Sequence, residues 1–513
     1  MDKKGKVWLA GAGPGDAGLL TVKTKELMEE ADVIVYDALI SAEILSQIPD
    51  DKELIHVGKR SGNHPVPQEK INEILLEEAL KGKKVLRLKG GDPFIFGRGG
   101  EELELLLQHE ISFEVVPGVT SAAAVPAYAG IPITHRDYAS SFHVITGHAR
   151  RGGTHRIDYP SLVKLQGTLV FLMGISSMDE ILKGLTDAGM NPDTPAAVLE
   201  NGTLASQRHV VSTVGGLSDA ARQEKIGTPA IIMVGDVCAL AESFHWAKDR
   251  PLGGKQILIT RPRQNSSRLA KKLRELGAQV IELPSIVTEP ISPNLALKEE
   301  LERFGSRAEE EWLVFTSPAG VQIFFEELGK MDLDIRRLFR RKAEIKFAVI
   351  GSATEKALNG YGIHSDLVPK VYCARNLGMD LANTAAQGSY VMVARAAEGS
   401  EELLPPLEEA GLTVADIPLY HTHYKTHNHI REKIAGLFDS GEIHAVTFTS
   451  GSTVRGFVNG LELNQYENIL AVCIGEQTGL EARKYGMKVR IAEQATIDSL
   501  IELLRQELEK VSC

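Results

Sequence analysis

One short pattern occurs twice in the second half of the chain, and it limits the fold more than any other feature. Residues 313–321 read LVFTSPAGV and residues 446–454 read VTFTSGSTV. Downstream of the first copy, 347–363 read FAVIGSATEKALNGYGI; downstream of the second, 471–487 read AVCIGEQTGLEARKYGM. Each copy reads as a strand, an FTS turn and a helix, then a strand, an IG turn and another helix. Two similar α/β lobes follow, with a cleft between them. Thr316, Ser317, Thr449 and Ser450 each stand between a strand and a helix, where hydroxyls cap helices. Capping and ligand binding coexist there, because both use the same helix end.

The first half alternates in the same way. Residues 6–13 (KVWLAGAG) read as a buried strand ending in glycines, followed by a helical pattern over 21–30 and a strand over 32–36. Residues 68–81 are amphipathic and helical, 84–88 (KVLRL) form a strand, and 101–109 are helical again. Such alternation predicts α/β layers around a mostly parallel sheet. The segment 113–134 interrupts it with prolines and small residues. A lobe boundary is set there, giving lobes of about 1–116 and 117–245. Within the second lobe, the next alternating unit begins near Phe142 and closes at TPAIIMVGDV (228–237). Polar residues with Pro and Gly around 246–254 read as a linker, and QILITRPR opens a new domain over 255–513.

A length of 513 residues suits three or four folded units. The net charge of -11 disfavours broad binding to nucleic acid or anionic membrane, both of which need a positive field. It leaves room for a locally positive pocket. Cys238, Cys373, Cys473 and Cys513 are far apart and form no CxxC pair, so neither a metal site nor a disulfide framework is expected. No stretch approaches a membrane-spanning length, and the amino terminus lacks the apolar core of a signal peptide. A cytoplasmic protein is the expectation.

Glycines in GAGPGD (11–16) suggest a dinucleotide-binding turn, but the fingerprint needs glycine at its sixth position and Asp16 stands there. The ordered set is more specific: GAGPGD, VYDALIS (35–41), VGKRSG (57–62), GGDPFIFGRGGEE (90–102), PGVTSA (117–122), FLMG (171–174), ENGT (200–203) and GTPAIIMVGDV (227–237). Over about 1–245 this set resembles the tetrapyrrole methylases, nearest the uroporphyrinogen-III C-methyltransferase branch. The resemblance implies a two-lobed α/β methylase working as a homodimer, with S-adenosylmethionine bound between the lobes and no metal. It implies donor contacts at Pro14, Gly90, Gly91, Asp92, Ile95, Thr120, Ser121, Met173 and Gly202; Ser121 stands where relatives often carry alanine. Glycines let backbone groups approach a ligand closely, and Asp92 suits the methionine amino group or the ribose. Asp92-Pro93 also suits a plain turn. The resemblance further implies a proton acceptor at Asp37 and a proton donor or carboxylate partner at Lys59. Asp37 ends a buried strand, where desolvation favours a base; the alternative roles are a helix cap for Asp37 and a surface position for Lys59. A substrate with eight carboxylates calls for cations near the cleft, with Arg98 and the run 147–156 (GHARRGGTHR) as candidates.

In the second half, QILITRPRQNSS (256–267), VFTSPAGV (314–321), AVIGSAT (348–354), PLYHT (418–422), TFTSGST (447–453) and CIGEQTG (473–479) resemble the uroporphyrinogen-III synthases. The implied fold is a two-lobed α/β synthase, with lobe one at 255–287 plus 422–513 and lobe two at 289–418. The implied reaction closes hydroxymethylbilane with inversion of its last ring. Tyr420 is then the candidate that assists loss of hydroxide, and Ser450 and Thr478 are cleft hydroxyls. Arg261 and Arg395 are candidate partners for propionates or acetates. The two implied reactions run in series towards precorrin-2, on the sirohaem or cobalamin branch. Two alternatives stand beside this reading: a methylase acting on a later corrin precursor or on RNA, and a methylase carrying a degenerate tetrapyrrole-binding module.

Overall fold

A computed structural model describes residues 4–58, 66–147, 157–261, 263–340 and 343–509, the side chains of 263–267 and 340 excepted. The described residues build four five-stranded sheets, two in each half of the chain.

The first sheet is wholly parallel, in the order Glu53–His56, Val33–Tyr36, Lys84–Lys89, Lys6–Gly11, Ser112–Val116. Its central strands are buried on both faces, as a parallel sheet covered by helices requires. Val7, Val33, Val35 and Val85 pack into one cluster, while Trp8, Ala10, Ile34 and Leu86 pack into another. The helix Val22–Glu30 starts where Thr21 accepts a hydrogen bond from the Thr24 N–H.

The second sheet is mixed, in the order Phe142–Thr146, Thr168–Leu172, Ala230–Val234, Pro195–Glu200, Arg208–Thr213. Only its first pair is parallel.

In the second half, each copy of the repeat enters a different sheet. The strand Glu310–Phe315 leads through Ser317 into the helix Pro318–Lys330 and pairs with Glu344–Val349. The strand Ala445–Phe448 leads through Ser450 into the helix Gly451–Leu461 and pairs with Leu470–Cys473. The sheet around the second copy is parallel throughout, in the order Gln279–Glu282, Gln256–Ile259, Ala445–Phe448, Leu470–Cys473, Lys488–Ile491. The sheet around the first copy carries an antiparallel edge, where Ile286–Pro290 runs against the end of the long strand Thr413–Tyr424. Tyr420 is the pivot: it pairs with Ala396 on one side and Pro290 on the other.

The halves are packed together. Ile44, Leu45 and Ile48 share a buried cluster with Ile281, Leu283 and Ile430. The Arg274 guanidinium donates to Glu43 at 2.9 Å, and Lys425 pairs with Asp50. The polar stretch 246–254 is anchored at both ends. Trp246 donates its indole N–H to the Ala127 carbonyl at 2.9 Å, and Leu252 is buried among Leu269 and Leu273. Among the described residues no helix is long and apolar enough to cross a membrane.

Candidate active site

Loops from the carboxyl ends of the first sheet's strands face the second sheet across a cavity of about 300 Å³. That is where open parallel sheets collect ligands, and the size suits a small molecule. All nine candidate donor residues line this cavity: Pro14, Gly90, Gly91, Asp92, Ile95, Thr120, Ser121, Met173 and Gly202. Asp37 lines it too.

Backbone contacts hold the loops. Gly13 and Gly91 exchange N–H···O bonds of 3.2 and 2.7 Å. Gly91 has a φ of +69°, the left-handed region that glycine adopts freely. The Asp92 carboxylate accepts from Phe94 N–H at 2.8 Å and from Gly118 N–H at 3.0 Å. Asp92 therefore forms the turn and ties two loops, and its remaining lone pairs stay free for a ligand. Three non-glycine residues lining the cavity, Phe96, Met173 and Asn201, also have positive φ. Strain of this kind costs about 1–3 kcal/mol per residue and concentrates at ligand sites. Leu39, Ile95, Phe96 and Met173 leave apolar surface exposed at the mouth.

Beneath the cavity lies a chain of charges that motif reading did not single out. The Asp37 carboxylate is 3.7 Å from the Arg87 guanidinium, so its surroundings are not the apolar ones expected at a strand end. Arg87 in turn approaches Glu102 at 3.4 Å, and Lys89 donates to the same Glu102 oxygen at 2.8 Å. Burial, reinforced by Arg87, pushes the Lys89 ammonium pKa below its ordinary value, against the pull of Glu102. The sequence signal was available: Arg87 and Lys89 stand two apart on a central strand, hence on one face. Arg98 stands at the N-terminal boundary of the following helix without a side-chain cap bond and pairs with Glu101 at 2.6 Å, outside the cavity lining. Lys59 and residues 148–156 lie outside the described residues.

The candidates of the second half are more dispersed. Arg261 follows the strand Gln256–Ile259, half-buried, with no ion pair among the described residues. Desolvation lowers its pKa, the condition under which a guanidinium gains most from an anionic partner. Ser450 caps its helix through a reciprocal box with Thr453. Thr478 is buried in the first turn of the helix Glu476–Arg483. Tyr420 is only 5% exposed, and its hydroxyl lies 2.8 Å from Ser317 Oγ, the cap of the first repeat copy. Burial raises its pKa. Arg395, expected to meet a substrate carboxylate, instead grips Asp416 with Nε and Nη2 at 2.8 and 2.7 Å and donates to the Ser400 carbonyl. Among the described residues no cluster of His, Cys, Asp or Glu is arranged to hold a metal ion.

A ligand cavity between two α/β sheets, followed by a duplicated α/β pair, defines a two-part enzyme architecture. Residues 6–218 match the tetrapyrrole (corrin/porphyrin) methylases, and residues 267–502 match uroporphyrinogen-III synthase HemD. The chain is 47% identical over 500 residues to the porphyrin biosynthesis protein HemD of Ruminiclostridium josui, covering 98% of this chain and 97% of that one. It is 40% identical over 360 residues to the uroporphyrinogen-III C-methyltransferase of Bacillus subtilis, covering 70% and 72%. Uroporphyrin-III C-methyl transferase from Thermus thermophilus, solved with S-adenyl homocysteine, is 38% identical, with a TM-score of 0.40 over 46% of this chain and 100% of that one. The chain belongs to the porphyrin-biosynthesis family that joins a tetrapyrrole methylase to a uroporphyrinogen-III synthase, and it is an enzyme with both parts.

Proposed function

We propose that the second half closes hydroxymethylbilane to uroporphyrinogen III and that the first half methylates this product at C2 and C7, giving precorrin-2 for the sirohaem or cobalamin branch. One observation carries the reading: nine motif residues from widely separated loops converge on one cavity, and Asp37 forms part of its wall. The 90–92 loop and the Asp92 carboxylate suit a polar amino-acid end, and the apolar walls suit a base and the carbon skeleton around a sulfonium. S-adenosylmethionine is the donor that fits, and it supplies an electrophilic methyl group on a sulfonium.

The chain's own work is positioning. Aligning a carbon nucleophile with a leaving sulfur is worth several kcal/mol, on the order of 7 or more in favourable cases. A pyrrole carbon takes the methyl, sulfur keeps the bonding electron pair, and the substrate releases a proton. Asp37, held beside Arg87, is the group placed to accept that proton or to fix its donor. In the second half, Arg261 holds a substrate carboxylate, Ser450 and neighbouring helix-end amides receive others, and the Ser317–Tyr420 pair lies where hydroxide leaves. The division at 246–254, pairing of two chains through the methylase half and a cytoplasmic location belong to the same proposal.

The test supplies hydroxymethylbilane and labelled S-adenosylmethionine to the purified chain. A dimethylated type-III product is expected. If calorimetry on folded protein detects no uptake of S-adenosylhomocysteine, the proposal fails at its first step. Tetrapyrrole binding without ring closure would instead favour the degenerate-module reading of the second half.

A further inference from the structure

A second cavity, of about 400 Å³, lies where the two halves meet. Its walls include Tyr36, Asp37 and Leu54 from the methylase half and His429, Glu432 and Lys433 from the synthase half. Asp37 therefore lines both this cavity and the donor cavity. The segment from Asp37 to Ile40 is the partition between them: Leu39 lines the donor side and Ala38 lines the junction side.

Lys433 is fastened to that partition from outside. It lies in the first turn of the helix Arg431–Asp439. The neighbouring Ile430 and Ile434 are fully buried, in the cluster that also holds Ile40 and Ile44. Its ammonium donates to the Ile40 carbonyl and lies 3.4 Å from the Ala38 carbonyl. The same turn fixes the carboxylate: Asp37 Oδ1 accepts from Leu39 N–H at 3.1 Å, and Ile40 N–H donates to the Asp37 carbonyl at 3.4 Å. Gly58 backs the turn from the other side, where an added Cβ would come within 2.4 Å of Ala38 N. Burial pushes the Lys433 pKa down, with the Asp37 charge opposing. A desolvated ammonium on two carbonyls gains strong, charge-assisted bonds that a surface lysine would not.

We propose that Lys433, a residue of the synthase half, is a positioning residue for methyl transfer: by bridging the Ala38 and Ile40 carbonyls it fixes the turn that carries Asp37. Methylase turnover thereby depends on the attached synthase half. This rests on the reading of Asp37 as part of the methyl-acceptor site.

The full-length chain carrying Lys433→Met, Lys433→Arg or Asp37→Asn tests it. Four quantities are measured: methylation kcat and KM with uroporphyrinogen III, affinity for S-adenosylhomocysteine by calorimetry, and synthase turnover with hydroxymethylbilane. For Lys433→Met, kcat should fall about tenfold or more, since small misplacements near a reacting centre are costly. Donor affinity and synthase turnover should stay within about twofold of wild type. Lys433→Arg, which still donates to both carbonyls, should recover most of the lost kcat. A Lys433→Met chain with unchanged kcat, beside an impaired Asp37→Asn chain, overturns the positioning role. So does a parallel fall of both activities, which would mark a merely structural contact. An unimpaired Asp37→Asn chain would instead overturn the reading of Asp37 on which the proposal rests.

Discussion

The two halves hold their candidate residues in opposite ways. In the methylase half the nine donor candidates and Asp37 converge on a cavity already shaped by backbone: glycine turns, carbonyls and a carboxylate tying two loops. In the synthase half the candidates stand on two sheets, and several already have partners within the fold. Arg395 holds Asp416, Tyr420 meets Ser317, and Ser450 caps its own helix. A compact donor rewards a rigid cradle. A flexible polyanion whose ring must be inverted suits a cleft whose walls sit on separate lobes.

The two halves also share a buried junction, where Glu43 of the methylase half meets Arg274 of the synthase half. Burial pushes the Glu43 carboxyl up to about 7, in spite of the Arg274 guanidinium contributed by the synthase half. Between its ordinary value of 4.5 and about 7, the folded chain holds a proton that the unfolded chain has released. Stability therefore falls as pH rises through that window and levels off above it. The span amounts to about 3 kcal/mol for this group. Thermal melts of wild type and Glu43→Gln from pH 4.5 to 8 check it: the variant should lose that part of the slope. Equal slopes would show that the junction carboxyl is solvated and the halves only loosely joined.

A rigid cradle should fail on a single added methyl. A Cβ on Gly118 would lie 2.3 Å from the Gly91 carbonyl oxygen and 2.7 Å from the Gly11 Cα, all backbone. Gly118→Ala should weaken S-adenosylhomocysteine binding on the order of a hundredfold, about 2.7 kcal/mol, because three loops must part. Synthase turnover in the same chain should stay at the wild-type level. Calorimetry beside a ring-closure assay reads both, and intact donor binding would show that the loops yield.

The contrast also explains what the sequence made legible. Gly90, Gly91, Asp92 and Thr120 lie in short glycine- and proline-rich strings, whose local turn chemistry already implies loops at strand ends. The repeat revealed two lobes because each FTS or IG turn must cap a helix after a strand, which Ser317 and Ser450 do. Partnerships across long separations were out of reach. Arg87 meets Asp37 and Glu102 only through strand register and helix packing. Tyr420 finds Ser317 across 103 residues. Lys433 reaches Ile40 across 393 residues, through an interface no local pattern describes. The stretch at 246–254 reads as a linker from its polar composition, while its anchors, Trp246 and Leu252, are single residues whose partners lie elsewhere in the chain.

Candidates spread over two sheets should respond to single charges more than to packing. Arg261 has no ion pair among the described residues, so Arg261→Ala removes an unpaired cation. The KM for hydroxymethylbilane should rise about tenfold, and the effect should shrink with added salt, as expected for a carboxylate contact. Methylation of supplied uroporphyrinogen III should not change. An unaltered KM would remove Arg261 from the substrate's path.

Arg395 supplies the matched control within the same half. Its side chain is 7% exposed and that of Asp416 is 38% exposed, with two nitrogens on the two carboxylate oxygens. A guanidinium gripped in this way has little left for a propionate, and the Ser400 carbonyl occupies a third nitrogen. Arg395→Ala should therefore act on stability rather than on substrate affinity. Because the Asp416 carboxylate left behind remains partly solvated, the loss should be modest, about 1 kcal/mol. Denaturant melts and synthase kinetics on the same preparation separate the two roles. A lower midpoint with unchanged KM fits an internal clasp; a raised KM with an unchanged midpoint would mean that Arg395 releases Asp416 to bind substrate.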